Sequence, residues 1–190
     1  EEMMLLANTC AAEFSLKHEL PVLYRNHDTP EAEKAARVSD FVKHFGLSFP
    51  EENPTQADYQ RIIEATRERP DAISIHSVLL RSMQQANYAP TNIGHFGLAY
   101  EEYSHFTSPI RRYPDLMLHR AIKAKVTGKK APLPDWSLED AGEQTSMTER
   151  RADEASRFVE QWLKAHYMKD HIGEAFDAVV TTCLLYTSPS

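Results

Sequence analysis

The residues of this chain that are best suited to chemistry are two adjacent arginines, Arg111 and Arg112, which follow a Thr-Ser-Pro turn. Arginine presents a planar fork of N–H donors that matches phosphate oxygens, and it stays charged at any working pH. The hydroxyl groups of Thr107 and Ser108 stand beside the pair, and a helix predicted after Pro109 would offer free backbone N–H groups. Together these residues predict a phosphate site. The alternative is a solvated arginine pair that is bridged to nearby acidic side chains.

The surroundings of the arginine pair are basic, although the whole chain has a formal net charge of -7. Residues 103–130 contain seven Lys or Arg residues and one acidic residue, Asp115, so the local charge is +6. Asp115 is expected to pair with Arg111, Arg112 or Arg120. The overall acidity argues against a protein that coats nucleic acid through bulk charge, but it permits a local anion site.

Several other side chains near the pair allow both a functional and a structural interpretation. His95, His105 and His119 are ten and fourteen residues apart, which fits no metal-binding motif, so structural roles are favoured over metal binding. Four aromatic residues could stack on the bases of single-stranded nucleic acid, although core packing is the alternative for each: Tyr100, Tyr103, Phe106 and Tyr113.

Motifs of other chemistries are missing from the sequence. It contains no P-loop, no GxSxG, no HExxH and no aspartate cluster able to hold two metal ions. Cys10 and Cys183 form no CxxC pair, which is typical of a reducing cytoplasm. No apolar run approaches the roughly 20 residues that span a bilayer. The first residues, Glu1-Glu2-Met3-Met4, read as the middle of a helix, so we expect a piece of a longer protein.

Hydrophobic spacing and capping residues predict a mainly helical chain with a few strands. Helices are expected over residues 1–16, from the Thr29-Pro30 cap to Gly46, from the Thr55 capping box to Pro70, from Asp71 to residue 86, from Pro109 to residue 126, and from the Ser137 cap to residue 167. Strands are expected over residues 22–24, 95–100 and 173–180, and residues 88–94 are expected to form a polar turn. Gly97 predicts the close approach of another backbone or a ligand.

The predicted first and last helices each carry an apolar stripe. The first stripe consists of Met3, Leu6, Ala7, Cys10 and Phe14. The last consists of Met147, Ala155, Phe158, Val159, Trp162, Leu163 and Tyr167. The charged residues Glu149 to Glu154 are expected on the opposite, solvated face of the last helix.

The segment HFGLAYEEYSHFTSPIRRYPDLMLHRAI resembles the signature of the RNB family of exoribonucleases, the ribonuclease II/R family. The segments EEMMLLAN, PVLYRNHDTP, RSMQQANYAPTNIGHFGLAY and MTERRADEASRFVEQWL resemble the same family, in the same order along the chain. The resemblance covers residues 1 to about 182.

This resemblance implies an α+β fold, the mainly helical C-terminal part of an RNB catalytic domain, over residues 1–172. Residues 173–182 would begin a C-terminal OB-fold RNA-binding barrel with its first strand. The last eight residues, 183–190, read CLLYTSPS and resemble translated sequencing-adapter DNA, so we expect them to be non-native.

The resemblance also implies a function, that of a processive 3′→5′ exoribonuclease. Such an enzyme hydrolyses RNA with Mg²⁺ from a single-stranded 3′ end and releases nucleoside 5′-monophosphates. By this match Arg111 is the catalytic arginine beside the scissile phosphate. Glu1 or Glu2 matches a glutamate that contacts the RNA sugar, although an ordinary helix start is the alternative. The remaining residues expected to contact RNA are His105, Thr107, Ser108, Arg112 and Tyr113.

The aspartates that bind Mg²⁺ in the family are expected ahead of Glu1, so this chain alone is expected to be inactive and to hold no metal ligand. The second hypothesis is a non-catalytic RNA-binding relative that kept the arginines and lost the metal cluster. In either case we expect a monomeric, cytoplasmic protein that does not bind membranes.

Overall fold

The computed structural model describes residues 1–130 and 135–177, which contain six α-helices and a sheet of two short strands. The elements in chain order are α1 (Glu2–Lys17), β1 (Tyr24–Asn26), α2 (Ala32–Lys43), α3 (Gln56–Thr66), α4 (Ala72–Ser82), β2 (Asn87–Ala89), α5 (Tyr113–Val126) and α6 (Leu138–Met168). Two 3-10 turns lie at Phe96–Leu98 and Lys169–His171. This mainly helical, mixed architecture confirms the α+β prediction.

The two strands pair antiparallel, with Arg25 opposite Tyr88. Both strands differ from the sequence prediction: β1 begins two residues later than expected, and β2 overlaps the start of the predicted polar turn. Residues 95–100 form no strand, because His95 accepts a hydrogen bond from the backbone N–H of Leu98 and closes a 3-10 turn. The close neighbour predicted for Gly97 is a side chain, since a Cβ there would lie 2.6 Å from Nδ1 of His27.

Helices α2, α3 and α4 form one hydrophobic cluster of their own. Its buried members are Ala35, Val38, Val42, Phe49, Tyr59, Ile62, Ile75, Leu79 and Phe96. The capping box at Thr55 is confirmed, because Thr55 and Asp58 exchange side-chain and backbone hydrogen bonds there. The predicted start of α2 at Thr29-Pro30 is wrong, since the helix begins at Ala32 and the Asp28 carboxylate accepts the Thr29 N–H instead.

A second cluster joins α1, β1 and α5. Its buried members are Ala11, Ala12, Val22, Tyr24, Leu118 and Ala121. The stripe predicted for α1 is wrong, because Met3 and Leu6 are 77% and 56% exposed while Asn8 and Ser15 are buried. Small side chains let α1 lie close against its neighbours, so the larger residues are left on the outer face.

Helix α6 contacts the rest of the described chain through its first turns. Ser137 caps the helix as predicted, and the buried residues Ala141, Gly142 and Ser146 pack against β2. A Cβ on Gly142 would lie 2.6 Å from the carbonyl oxygen of Tyr88, and Ser146 Oγ accepts the Tyr88 N–H at 2.9 Å. The predicted apolar stripe of α6 is exposed, with Phe158 70% accessible, and described residues do not cover it.

Two predictions at the C-terminal end lie partly or wholly outside the described residues. Residues 174–177 are described and form no strand, and the remainder of the predicted strand over 173–180 lies outside. The predicted domain start at 173–182 and the non-native tail at 183–190 therefore stay predictions. None of the helices in the described part is long and apolar enough to cross a membrane.

Candidate nucleic-acid interface

A cavity of about 250 Å³ lies between the start of α1 and the loop that precedes α5. It is lined by Glu1, Met4, Leu5, Asn8, Tyr103, His105, Thr107, Arg111 and Arg112. Five of the eight residues that the sequence predicted for RNA contact or catalysis therefore meet in one place. Those five span more than one hundred positions of the chain, so the fold brings them together.

The loop over residues 103–112 is fixed by hydrogen bonds to α1 and β1. Asn8 of α1 accepts the N–H of Phe106 at 2.9 Å and donates to the hydroxyl of Tyr103 at 2.9 Å. Ser104 Oγ donates to the carbonyl of Leu23 at 2.7 Å. Because these groups are buried, each bond is made in a low-dielectric environment and holds the loop in one position.

Asp115 anchors the C-terminal end of the same loop to α5. Its carboxylate is fully buried, and Oδ2 accepts the backbone N–H of Ser108 at 2.7 Å and Nη2 of Arg112 at 2.8 Å. The expectation that Asp115 pairs with a neighbouring arginine is confirmed, and the partner is Arg112. Oδ1 of Asp115 and Nε of Arg112 are buried without a hydrogen-bond partner within residues 1–130 and 135–177.

Arg111 lies in a different environment from its neighbour. Its side chain is exposed and forms no hydrogen bond or ion pair with the residues that the structure describes. Its backbone N–H donates to the carbonyl of Ser108 at 3.3 Å, which ties it to the turn that Asp115 anchors. The guanidinium is thus a cation on a fixed backbone that is available to an anion from outside.

His105 lies in the wall of the cavity and shares a hydrogen bond with a tyrosine behind it. Its Nδ1 is 2.8 Å from the hydroxyl of Tyr88. Burial, and then the positive charge of Arg112 and Arg25, lower the pKa of His105 to about 3. Burial raises the pKa of Tyr88 to about 12. Both groups are therefore neutral near pH 7.

A second cavity of about 450 Å³ adjoins the opposite side of the arginine pair. It lies between the start of α5 and the face of α6, and Arg111 and Arg112 border both cavities. Tyr113 lines the second cavity, and its half-exposed ring is 6.5 Å from the ring of Trp136. The arginine pair therefore stands between two spaces that are open to ligands.

The remaining predicted residues lie outside the first cavity. Glu2 is exposed in the first turn of α1, and Ser108 acts through its backbone groups. The predicted helix start after Pro109 is wrong: α5 begins at Tyr113, and the N–H groups of Arg111 and Arg112 are bonded to Ser108. The loop therefore contributes side chains to the site, with those backbone donors already occupied.

Four residues that support the site were not predicted from the sequence. Asn8 holds the loop, and Tyr88 contacts His105. Arg25 lies 4.6 Å from the ring centre of Tyr88 and forms a two-pronged ion pair with Glu149 of α6 at 2.6 and 3.1 Å. Glu149 was expected on the solvated face of α6, which is wrong. One sequence signal could have revealed this support: the polar residue Asn8 lies among small residues on one face of α1.

The described residues do not form a metal site. Within residues 1–130 and 135–177, no three His, Cys, Asp or Glu side chains come together as metal ligands do. His119 lies flat on Phe106 at 4.0 Å and bonds to its carbonyl, so it supports the loop.

Comparison with known proteins gives the family. The sequence model of the RNB domain matches residues 1–128, which is more than half of the chain. The chain belongs to the RNB domain family. Ribonuclease R of Escherichia coli is 46% identical over 96% of this chain, and the match covers 24% of that protein. The chain thus spans about a quarter of the length of this RNB relative.

Solved structures show the same RNB fold. Mycoplasma genitalium RNase R in complex with double-stranded RNA superposes with a TM-score of 0.83 at 23% identity, over 95% of this chain and 34% of that one. Yeast Ssd1, described as a pseudonuclease, superposes with a TM-score of 0.66 at 25% identity, over 76% of this chain and 18% of that one. The RNB fold thus occurs both in a ribonuclease and in a protein described as a pseudonuclease.

Proposed function

We propose that this chain is part of a 3′→5′ exoribonuclease that hydrolyses RNA to nucleoside 5′-monophosphates. It would supply the arginine side of the active site. The observation that carries the proposal is the exposed guanidinium of Arg111, which is unpaired within the described part of the chain and lies beside a cavity that also gathers Glu1, His105 and Thr107. The 46% identity to a protein named ribonuclease R supports the reaction class.

Arg111 is suited to stabilise the negative charge that develops on a phosphate during hydrolysis. Such stabilisation requires a donor that is already in place, because reorganisation during the reaction would raise the barrier. The backbone of Arg111 is held by Ser108, which in turn is held by the buried Asp115. Among residues 1–130 and 135–177, the side chain has no partner to give up before it binds phosphate.

Arg112 has a positioning role in this scheme. One of its terminal nitrogens is bound to Asp115, and its side chain is 17% exposed. The guanidinium neutralises the buried carboxylate, so that Asp115 can hold the loop without an isolated buried charge. Arg112 borders both cavities, so its free edge also adds positive potential where RNA would enter.

The other predicted contacts follow from the lining of the two cavities. Glu1 and Thr107 offer an acceptor and a hydroxyl to the ribose and phosphate groups of RNA in the first cavity. Tyr113 offers a half-exposed ring on which a base can stack in the second. The partner proposed is the single-stranded 3′ end of RNA; a monomeric state and a cytoplasmic location stay predictions.

The metal requirement belongs to the same proposal. The residues described in this chain do not fit a Mg²⁺ site, because their carboxylates do not converge on one point. We propose that another part of the polypeptide holds Mg²⁺. On its own, the chain is expected to release negligible mononucleotide from RNA with Mg²⁺.

A chimera tests the proposed function directly. Residues 1–177 of this chain would replace the matching segment of Escherichia coli ribonuclease R. We expect the chimera to release nucleoside 5′-monophosphates from a 3′-extended single-stranded RNA. A chimera that folds and binds RNA but releases none would contradict the proposal that this segment supplies the arginine side of the active site.

A further inference from the structure

The contact between Tyr88 and His105 extends from the sheet to the wall of the first cavity. Tyr88 lies on β2, and its hydroxyl meets Nδ1 of His105 at 2.8 Å. The two rings meet edge to face, with their centres 5.7 Å apart. Tyr88 lines the second cavity and a further cleft along α6, but it does not line the first cavity. It therefore lies on the side of His105 that faces away from the first cavity.

The proton in this hydrogen bond can be assigned to the tyrosine. Both groups are neutral near pH 7, as their shifted pKa values require. The Tyr88 hydroxyl has no other acceptor in the described part of the chain, so it donates to Nδ1. A neutral imidazole whose Nδ1 accepts a hydrogen bond carries its own proton on Nε2.

Nε2 of His105 is available to a ligand. Nε2 makes no hydrogen bond with residues 1–130 or 135–177. Two side-chain polar atoms in those residues are buried without a partner, and Nε2 is neither of them, so Nε2 is not buried. It therefore reaches solvent, and the solvent-filled space that His105 borders is the cavity it shares with Arg111.

We propose that Tyr88 is a positioning residue that fixes His105 as the Nε2–H tautomer, which donates a hydrogen bond to an RNA oxygen in this cavity. The inference rests on the proposed function for the identity of the ligand. Two side chains at the site then have different roles in binding RNA. Arg111 supplies positive charge, and His105 supplies a neutral donor whose direction is fixed by the protein.

Tyr88 is held firmly enough to perform this role. Its backbone N–H donates to Ser146 Oγ at 2.9 Å, and the guanidinium of Arg25 lies over its ring. Arg25 is locked in turn by both oxygens of Glu149 on α6. The orientation of His105 thus depends on how α6 is seated against the sheet.

The tautomer can be measured on this chain without RNA, by long-range ¹H–¹⁵N correlation of ¹⁵N-histidine. We expect the Nε2–H pattern for His105, and no protonation between pH 7.5 and 5. The charged or titratable groups around the ring that bear on this titration are Arg25, Tyr88, His95, Tyr103, Arg111 and Arg112. Tyr88→Phe is expected to give a mixture of both tautomers. An Nδ1–H pattern in the unsubstituted chain, or an unchanged pattern in Tyr88→Phe, would overturn the inference.

Binding of a fluorescent single-stranded oligoribonucleotide tests the consequence. Glutamine places its amide N–H near the position of Nε2, whereas asparagine places it near Nδ1. We therefore expect His105→Gln to bind within about threefold of the unsubstituted chain and His105→Asn about tenfold more weakly, because a tenfold loss corresponds to about 1.4 kcal/mol, near the upper value for one hydrogen bond.

The matched control is Tyr59→Phe. It removes another buried tyrosine hydroxyl, which bonds to Ser82, and neither Tyr59 nor Ser82 lines the first cavity. We expect Tyr88→Phe to weaken RNA binding about threefold and Tyr59→Phe to leave it unchanged. Equal effects of the two substitutions, or equal binding by His105→Gln and His105→Asn, would overturn the inference. If the unsubstituted chain bound no RNA, the proposed function and the RNA part of the inference would both fail, whatever the tautomer.

Discussion

Two adjacent arginines of one motif have different surroundings, and this difference defines the site at the scale of single residues. Arg112 faces the buried Asp115, while Arg111 faces solvent at the edge of two cavities. The sequence predicted an anion site here from residue type and local charge. It did not predict which arginine was free, because that depends on the direction in which each side chain leaves the turn.

The buried pair should contribute far more to stability than an exposed pair with the same spacing. Asp115→Asn leaves the charge of Arg112, whose side chain is only 17% exposed, without its partner, so we expect the free energy of unfolding to fall by about 3 kcal/mol. The control is Asp40→Asn, which removes the exposed Asp40–Lys43 pair and should cost less than about 1 kcal/mol. Urea unfolding measures both, and equal losses would contradict this account of the loop.

At the scale of elements, the sequence predicted helices well and strands poorly. The caps at Thr55 and Ser137 use local hydrogen bonds between neighbouring residues, so they can be read from a short pattern. Strands β1 and β2 have three residues each and depend on pairing across more than sixty positions. The buried face of α1 was missed because alanine and serine, with little apolar area, lie on it.

The seating of α6 depends on a glycine, Gly142, which packs against β2. Gly142→Ala would place a methyl group 2.6 Å from the Tyr88 carbonyl. Alanine has a better helix propensity than glycine, which offsets about 1 kcal/mol of the strain from this contact. We therefore expect a net loss of about 1 to 2 kcal/mol in the free energy of unfolding. Gln144→Ala, at an exposed position of the same helix, should change it by less than about 0.5 kcal/mol. A stabilised Gly142→Ala chain would show that the helix does not pack as described.

At the scale of the whole molecule, two histidines with lowered pKa values couple stability to pH. Burial lowers the pKa of His95 to about 4 and that of His105 to about 3, whereas an unfolded histidine takes up its proton near pH 6.5. Between pH 6.5 and 4 the unfolded chain therefore binds more protons than the folded chain. The free energy of unfolding should fall as the pH is lowered through this range.

Urea unfolding at pH 7, 6 and 5 tests this prediction. His105→Gln removes one of the two groups, so the slope between pH 6 and 5 should decrease by up to about 1.4 kcal/mol per pH unit, the value of one proton. The two proteins share the same carboxylates, so the difference between their slopes reports on His105. Parallel curves for the two proteins would show that His105 titrates normally in the folded chain.

Single-turnover cleavage by the chimera with Escherichia coli ribonuclease R measures whether Arg111 stabilises the transition state of RNA hydrolysis. We predict that Arg111→Ala lowers the single-turnover rate by roughly 10²-fold or more while RNA affinity changes little. Arg120→Ala is the control, because Arg120 is an exposed arginine of α5 that does not line either cavity. An unchanged single-turnover rate in Arg111→Ala would contradict the account.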